Sequence, residues 1–218
     1  MKLSKETIAI MKNFAQINSN LLIKPGNVLT TISAAKSVYS SAPISETFDT
    51  QFGIYDLNEF LGVLSIFNDP DLTFSEKYVT ITEGKNSVKY FSADESVLVS
   101  PAKAIKVPPA DIQFSLSADE IVMIQKTAGV LKATDIVIQG QDGDLKIIVG
   151  DKKNVTGNAY EMLVGTTDSN FKAYIRVENI KILPGDYTVE IAAKRIAKFS
   201  NSVIEYVLSL EADSSFED

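Results

Sequence analysis

The first seventeen residues carry an apolar face at helical spacing. The apolar-face positions recur at alternating four- and three-residue steps, and they are Leu3, Thr7, Ile10, Phe14 and Ile17. Residues at these steps lie on one side of an α-helix, facing a core. Ser4 occupies the N-cap position and Glu6 places a negative charge in the first turn. The pattern predicts an amphipathic helix that begins after Ser4 and ends near Ile17.

The opposite stripe of the same helix is basic. It contains three lysines and no acid, and it reads Lys2, Lys5, Ala9, Lys12 and Gln16. The chain as a whole is acidic, with a formal net charge of -7. Any contact with nucleic acid must therefore use a local patch rather than the whole surface. Considered alone, the stripe fits a solvated helix face better than a binding site.

A second helix and several strands complete the first half. Asp56 and Glu59 have the spacing of a capping box, and the apolar helix that they open ends before Pro70. Segments rich in β-branched and aromatic residues predict strands. These strands are expected at 21–23, 28–32, 36–41, 47–55, 72–74, 78–82 and 87–91.

An extended connector separates two similar halves. Pro101 and the pair Pro108-Pro109 interrupt regular structure, so we place domains at 1–99 and 111–218 with a connector at 100–110. The opening pattern then returns 113 residues later, where Leu116 and Ser117 repeat Leu3 and Ser4. Ser117 and Glu120 form a full capping box. The apolar face of this helix is Ile121, Ile124, Thr127, Ala128 and Leu131.

The second half repeats the order of elements. Strands are expected at 136–139, 145–149, 160–164, 171–177, 187–192, 195–199 and 203–210, with a short helix at 178–183 and an acidic, mobile tail at 211–218. Asp142-Gly143 predicts a hairpin turn, which we prefer to a metal-binding loop because further oxygen ligands are missing. The chain is therefore predicted to be an α+β protein of two similar domains, each with two helices packed on antiparallel sheet.

Composition limits the chemistry. The chain has no Cys, His or Trp. A Ser-His-Asp or Cys-His centre and a zinc site with nitrogen or sulfur ligands are therefore excluded. No apolar run reaches the length of a membrane span, and the N-terminus does not resemble a signal peptide. We expect a soluble intracellular protein with no cofactor, no metal and no membrane contact. An enzyme stays possible from composition alone, with carboxylates, lysines and tyrosines as its available groups.

Five blocks of sequence, in order, resemble the sliding clamps of T-even-type bacteriophages. The blocks are Met1–Lys5, Lys12–Ala15, Ile54–Gly62, Pro184–Tyr187 and Leu210–Asp213. The resemblance implies a homotrimeric ring of two-domain subunits that encircles double-stranded DNA without sequence preference and tethers the phage DNA polymerase. It also implies loading by an ATP-driven clamp loader complex and no catalysis. A late-transcription role with host RNA polymerase and phage transcription factors, and a location in the cytoplasm of the infected bacterial host, follow as expectations.

The resemblance also implies site residues. The lysines that it places toward DNA are Lys2, Lys5, Lys12, Lys126, Lys132 and Lys181. The positions that correspond to Lys5 and Lys12 in the second half are Ala118 and Gln125, so the first domain is expected to carry more of the positive charge. A partner peptide is expected to dock near the connector, at Ile105, Val107 and Pro108.

Several alternatives remain open from the sequence. The basic cluster at Lys194–Lys198 is either a plain strand edge or a DNA-facing loop, and the connector is a linker, a docking site or both. A non-enzymatic structural protein of a virus particle is the alternative function, because many short strands are also typical of such proteins. An enzyme built on paired carboxylates is disfavoured, since no pair has a distinctive spacing.

Overall fold

The computed structural model describes residues 1–154 and 156–217. The chain divides into two compact units, Met1–Ala104 and Ile105–Asp218. Both units combine antiparallel strands with few helices. The predicted α+β class with two similar domains is confirmed.

The first unit contains two α-helices and seven strands. Its elements are α1 (Lys5–Ile17), β1 (Leu21–Ile23), β2 (Gly26–Ile32), β3 (Val38–Phe48), β4 (Phe52–Ile54), α2 (Leu57–Leu64), β5 (Asp71–Phe74), β6 (Tyr78–Glu83) and β7 (Asn86–Phe91). All the strand pairs within the unit are antiparallel: β1 with β4, β2 with β3, and β6 with both β5 and β7.

The first helix begins and packs as predicted. The Ser4 side chain accepts a hydrogen bond from the Thr7 backbone N–H at 3.1 Å. Phe14 and Met11 are completely buried, and Ile10 is nearly so. Burying side chains of this size stabilises the fold by roughly 2 kcal/mol each, which outweighs the modest helix propensities of the segment.

The second helix has half of the predicted capping box. The Asp56 side chain accepts a hydrogen bond from the Glu59 backbone N–H at 3.0 Å. The Glu59 carboxylate instead lies 3.4 Å from the hydroxyl of Tyr90, which also donates to the Asp56 carbonyl at 3.1 Å. Burial, followed by the nearby Glu59 charge, raises the pKa of Tyr90 to about 12. Tyr90 thus joins the start of α2 to β7.

The second unit contains one α-helix and nine strands within the described residues. Its elements are β8 (Ile112–Leu116), α3 (Ala118–Leu131), β9 (Asp135–Gln141), β10 (Asp144–Gly150), β11 (Tyr160–Thr166), β12 (Phe171–Arg176), β13 (Tyr187–Ala192), β14 (Ile196–Ser200), β15 (Glu205–Ser209) and β16 (Ser215–Phe216). Five strands pair in the order β11-β10-β9-β12-β16, and four in the order β15-β14-β13-β8.

Two local predictions in this unit are confirmed. Ser117 and Glu120 make both halves of the capping box at the start of α3. Asp142 and Gly143 form the turn between β9 and β10, with φ values of 53° and 88°. Positive φ at both central residues is the geometry that favours an Asp-Gly hairpin.

The predicted helix at 178–183 is wrong. A single 3-10 turn spans Val177–Asn179, and the chain then continues without regular structure to β13. Pro184 disfavours the helical conformation of the residue before it, which leaves too few residues to nucleate an α-helix. The Ile182 carbonyl instead accepts a 2.7 Å hydrogen bond from the Gln125 side chain of α3.

Three strand predictions also change. The single strand expected at 47–55 is interrupted at residues 49–51, so that Phe48 ends β3 and Phe52 begins β4. The strand expected from Lys36 begins at Val38, because Lys36 lies in a turn with a φ of 57°. Strand β8 is not predicted by the sequence pattern, since its five residues follow directly on the proline-rich connector and precede a strong helix signal.

The acidic tail, predicted to be mobile, pairs with a sheet. Ser215 and Phe216 form β16 and pair with the first two residues of β12. Asp218 lies outside the described residues. None of the described residues belongs to a helix long and apolar enough to cross a membrane.

Candidate nucleic-acid interface

The polar stripe of α1 faces solvent. Lys5 and Lys12 are exposed and Ala9 and Gln16 lie on the same side of the helix, whereas Phe14 on the other side is buried. Lys5 and Lys12 stand two turns apart, about 10.5 Å along the helix axis. The stripe therefore presents two ammonium groups on one rigid element of the first unit.

Lys2 has a different environment from the other two lysines. It precedes α1, and its ammonium group forms an ion pair with Asp69. The hydrogen bond from Lys2 to Asp69 raises the pKa of Lys2 above its usual value, and the charges of Asp71 and Glu83 act in the same direction. Because these carboxylates partly neutralise Lys2, it offers less attraction to a phosphate than Lys5 or Lys12 does.

The neighbouring helix adds no positive charge. The exposed residues of α2 are Asn58, Glu59 and Gly62. Between α1 and the end of α2 lies a cleft of about 180 Å³, lined mainly by apolar side chains. Lys12 is one of its lining residues, together with Leu3, Ile8, Leu61, Leu64, Ser65, Phe67, Asn68, Pro70 and Leu72. The positive charge of this region therefore comes from α1.

The exposed face of α3 is less basic than that of α1. It consists of Asp119, Val122, Met123, Lys126, Gly129 and Val130. Lys126 is the one cation in that stretch of helix. Lys132 follows at the C-cap in the left-handed conformation, with a φ of 51°. A lysine at a helix C-terminus also interacts favourably with the helix dipole, which gives Lys132 a structural role.

Lys181 lies close to α3 in the fold of the second unit. It is half-buried in the irregular segment after the 3-10 turn, one residue before the carbonyl that Gln125 contacts. The structure therefore brings the segment of Lys181 beside the helix that carries Lys126 and Lys132. Gln125, which takes the place of Lys12 in the second half, holds that segment with a hydrogen bond rather than presenting a charge.

The predicted docking residues lie in a segment without helix or strand. Ile105 is exposed, while Val107 and Pro108 are half-buried. The segment that precedes them is attached to the first unit, because the Val99 backbone N–H donates to the Asn20 side chain at 3.0 Å and Lys24 donates to the Pro101 carbonyl at 3.3 Å. A docking role for these three residues stays a prediction.

Two strand edges carry exposed apolar side chains that sequence reasoning missed. Strand β7 is one of the two outer strands of β5-β6-β7, and β11 is one of the two outer strands of its five-stranded sheet, opposite β16. Phe91 at the end of β7 is 67% exposed, and Leu163 on β11 is 61% exposed. The alternation of apolar and polar residues along β7 and β11 is typical of half-buried strands. The sequence does not show, however, which strands lack a neighbour on one side.

Comparisons with known proteins decide the family. Residues 4–100 match the family model described as DNA polymerase processivity factor, and residues 113–212 match the model described as gp45 sliding clamp, C terminal. The chain is 34% identical to the sliding clamp of Escherichia phage RB69 over 230 residues, covering 100% of both chains. The chain belongs to the phage sliding clamp family of DNA polymerase processivity factors.

Further comparisons agree with this assignment. The sliding clamp of Enterobacteria phage T4 is 34% identical over 229 residues, with 100% of both chains covered. The solved structure of proliferating cellular nuclear antigen from Entamoeba histolytica has a TM-score of 0.70 at 13% identity, covering 96% of this chain and 97% of that one. This likeness shows that proteins of very low sequence identity to the chain share its fold. The resemblance drawn from the five sequence blocks is confirmed.

Proposed function

We propose that the chain assembles into a homotrimeric ring that encircles double-stranded DNA and tethers a phage DNA polymerase for processive synthesis. The observation that carries this proposal is the basic, exposed face of α1 on a chain with a net charge of -7. Membership of the sliding clamp family gives this basic face a proposed use, which is contact with the encircled DNA. No catalytic step is assigned to the chain.

The lysines suit a tether that must slide. Lys5 and Lys12 attract phosphates without reading bases, and the attraction weakens as salt rises. Tight or base-specific contacts would halt sliding, so a few lysines serve better than a dense basic surface. The negative charge elsewhere disfavours binding of DNA to the outer surface. Lys126, Lys132 and Lys181 add a weaker contribution from the second unit, and Lys2 contributes least because of Asp69.

The open strand edges support a head-to-tail ring. In this proposal the β7 edge of one copy pairs with the β11 edge of the next, which gives each copy two different and complementary edges. Phe91 and Leu163 would then be buried on assembly, and the charges of Lys89 on β7 and Glu161 on β11 are opposite in sign. A heterologous contact of this kind closes into a ring when the rotation per subunit allows it.

Partner proteins complete the proposal. An ATP-dependent clamp loader complex opens and closes the ring, in the cytoplasm of the infected bacterial host. The extended tails of the polymerase and other partners dock at Ile105, Val107 and Pro108, where backbone without helix or strand is available for pairing. Host RNA polymerase with phage transcription factors is a further partner under the same proposal.

Two measurements test the proposal together. Sedimentation at micromolar concentration should give three times the 23.8 kDa mass of the chain. Addition of the chain with the loader and ATP should lengthen the products of the cognate polymerase on a primed single-stranded circle. A strict monomer that leaves product length unchanged would rule the proposal out.

A further inference from the structure

The edge of β12 is occupied by the chain's own acidic tail, residues 211–217. The Glu211 backbone N–H donates to the Tyr174 carbonyl at 2.9 Å, and the Glu217 backbone N–H donates to the Asn170 carbonyl at 3.0 Å. Between these two points only Phe171 and Lys172 have register partners in β16. The tail therefore lies along β12 as a short and incomplete extra strand.

A pair of aromatic rings, Phe171 and Phe216, holds the C-terminal end of the tail. The rings of Phe171 and Phe216 are parallel, with an interplanar angle of 3° and centroids 5.9 Å apart. The Phe171 ring also covers Gly140 on β9, where an added Cβ would lie 2.6 Å from the ring. Gly140 thus leaves room for Phe171 to lie flat, and Phe216 extends that apolar platform.

Two cationic side chains, Lys152 and Arg176, hold the beginning of the tail at Glu211 and Asp213. Lys152 Nζ lies 2.8 Å from an Asp213 carboxylate oxygen and 3.9 Å from one of Glu211, and it also lies 4.8 Å from the centroid of the Tyr174 ring. Arg176 Nε lies 3.3 Å from the same Glu211 carboxylate. The side chain of Lys152 is only 13% exposed, and its Nζ also lies 3.8 Å from the buried Asp135 carboxylate of β9. Its charge is therefore shared between Asp135 and the tail, with little of it facing solvent.

The hydrogen bonding between the tail and β12 is incomplete, so that another extended segment could replace the tail. The Tyr174 backbone N–H donates to the Ser214 hydroxyl at 3.0 Å rather than to a backbone carbonyl. A continuous strand could pair along all six residues of β12, as β-strand addition does at other open sheet edges. An open cleft of about 430 Å³ lies at the β16 end of the tail, and Gly140, Lys172 and Ser215 are among its lining residues. Space for a longer segment is therefore present.

We propose that the β12 edge is a second peptide-docking site, held closed by the tail and opened when an extended acidic segment of a partner protein replaces it. The segment needs two carboxylates spaced as Glu211 and Asp213 are, to meet Arg176 and Lys152, and an aromatic side chain three residues further on, to stack on Phe171. This site is separate from the connector residues and does not depend on ring formation.

A disulfide lock on the full-length chain tests the proposal, because the native chain has no cysteine. Lys172 and Ser215 are register partners in β12 and β16, so Lys172→Cys with Ser215→Cys can bridge them. The probe is a fluorescent peptide with the sequence of residues 211–217, and binding is followed by anisotropy. The reduced protein should bind the probe at least tenfold more tightly than the oxidised protein.

Tail variants provide an independent measurement. Asp213→Asn with Phe216→Ala weakens the resident tail and should raise the affinity for the probe about tenfold, because the open fraction of sites rises. Ala212→Ser, at an exposed position of the same tail, is the matched control and should leave the affinity unchanged. A probe in which the Phe is replaced by Ala should bind weakly to every variant.

Three results would overturn the proposal. The first is equal probe binding by the oxidised and reduced proteins, and the second is no binding by any variant. The third is an oxidised protein that runs as a cross-linked dimer on a non-reducing gel, since the tail would then lie on a second copy rather than on its own β12.

Discussion

Thr7 in the first turn of α1 donates a 2.5 Å hydrogen bond from its hydroxyl to the Glu46 carboxylate, which lies on β3. The other oxygen of Glu46 accepts the backbone N–H of Ser4, the N-cap residue. One half-buried carboxylate thus holds the beginning of the helix that carries Lys5 and Lys12. The negative charge also lies at the positive end of the helix dipole, where it is favoured.

Replacement of Glu46 by Gln should lower the free energy of unfolding by about 1–2 kcal/mol at pH 7, because charge-assisted hydrogen bonds are removed. Chemical denaturation followed by circular dichroism measures the change. Asp49→Asn, at an exposed position just after β3, is the control and should alter stability by less than about 0.5 kcal/mol.

The effect of Glu46→Gln should also depend on pH. Burial acts to raise the pKa of Glu46, but hydrogen bonds from Thr7 and Ser4 outweigh it and lower the pKa below the usual 4.5. A carboxyl with a lowered folded pKa stabilises the protein fully above its unfolded pKa, and this contribution disappears as pH falls through the folded value. The difference between wild type and Glu46→Gln should therefore be constant at neutral pH and shrink below about pH 4.5. A difference that persists unchanged at about pH 2.5 would contradict the assigned role.

Removal of the α1 lysines should affect DNA binding and not folding. Lys5→Ala with Lys12→Ala should keep the melting temperature within about 2 °C, because both side chains are exposed. Retention on DNA should fall, and the logarithmic salt dependence should become shallower by about 0.9 for each phosphate that the chain no longer neutralises. Lys36→Asn is the control, since it removes a charge from the β2–β3 turn and keeps a residue that tolerates positive φ. Equal retention for all three proteins would show that α1 does not face DNA.

Lys132 permits a separation of structural and binding roles. Its φ of 51° is costly for a residue with a Cβ, and we expect relief of this strain to outweigh the lost interaction of the lysine charge with the helix dipole. Lys132→Gly should therefore raise the free energy of unfolding by up to about 1 kcal/mol. Gly in place of Lys126, in the middle of α3, should instead lower it by about 1 kcal/mol. Thermal denaturation of the two variants should give shifts of opposite sign, and shifts of the same sign would contradict this interpretation of the C-cap.

A charge on the open edge of β11 should disrupt assembly without unfolding the chain. Leu163→Lys changes a side chain that is 61% exposed, so the melting temperature of the single chain should hardly change. Sedimentation should shift from trimer to monomer if that edge is buried between copies. Val203→Lys, at a half-exposed apolar position outside β7 and β11, is the matched control. A trimer that survives Leu163→Lys would exclude the β11 edge from the interface.

Local patterns predict the helices well where a cap and an apolar face occur together. Ser4 and Ser117 both begin helices, and the buried residues Phe14 and Ile121 lie on the predicted faces. The prediction of a helix at 178–183 is wrong because its apolar residues are followed by Pro184 and the segment is held by contacts from elsewhere in the unit. Such contacts depend on tertiary structure, which the local sequence does not contain.

The same limit applies to the candidate site. The sequence correctly predicts an exposed polar stripe with Lys5 and Lys12, but it does not reveal that Asp69 pairs with Lys2 from 67 residues away. The acidic residues of the tail predict solvation and mobility. Lys152 and Phe171 nevertheless hold the tail, through contacts with Asp213 and Phe216 that are distant in the chain.

Encirclement of DNA is tested most directly by linearising a circular plasmid on which the chain has been loaded. The chain is loaded by the cognate loader with ATP onto a nicked plasmid, purified away from free protein, and the plasmid is then cut once with a restriction enzyme. A topological ring should remain on the intact circle and leave the linear DNA by sliding off its ends, even at moderate salt. Equal retention on the circular and linear DNA would show that the chain binds the duplex from outside and would contradict the proposed function.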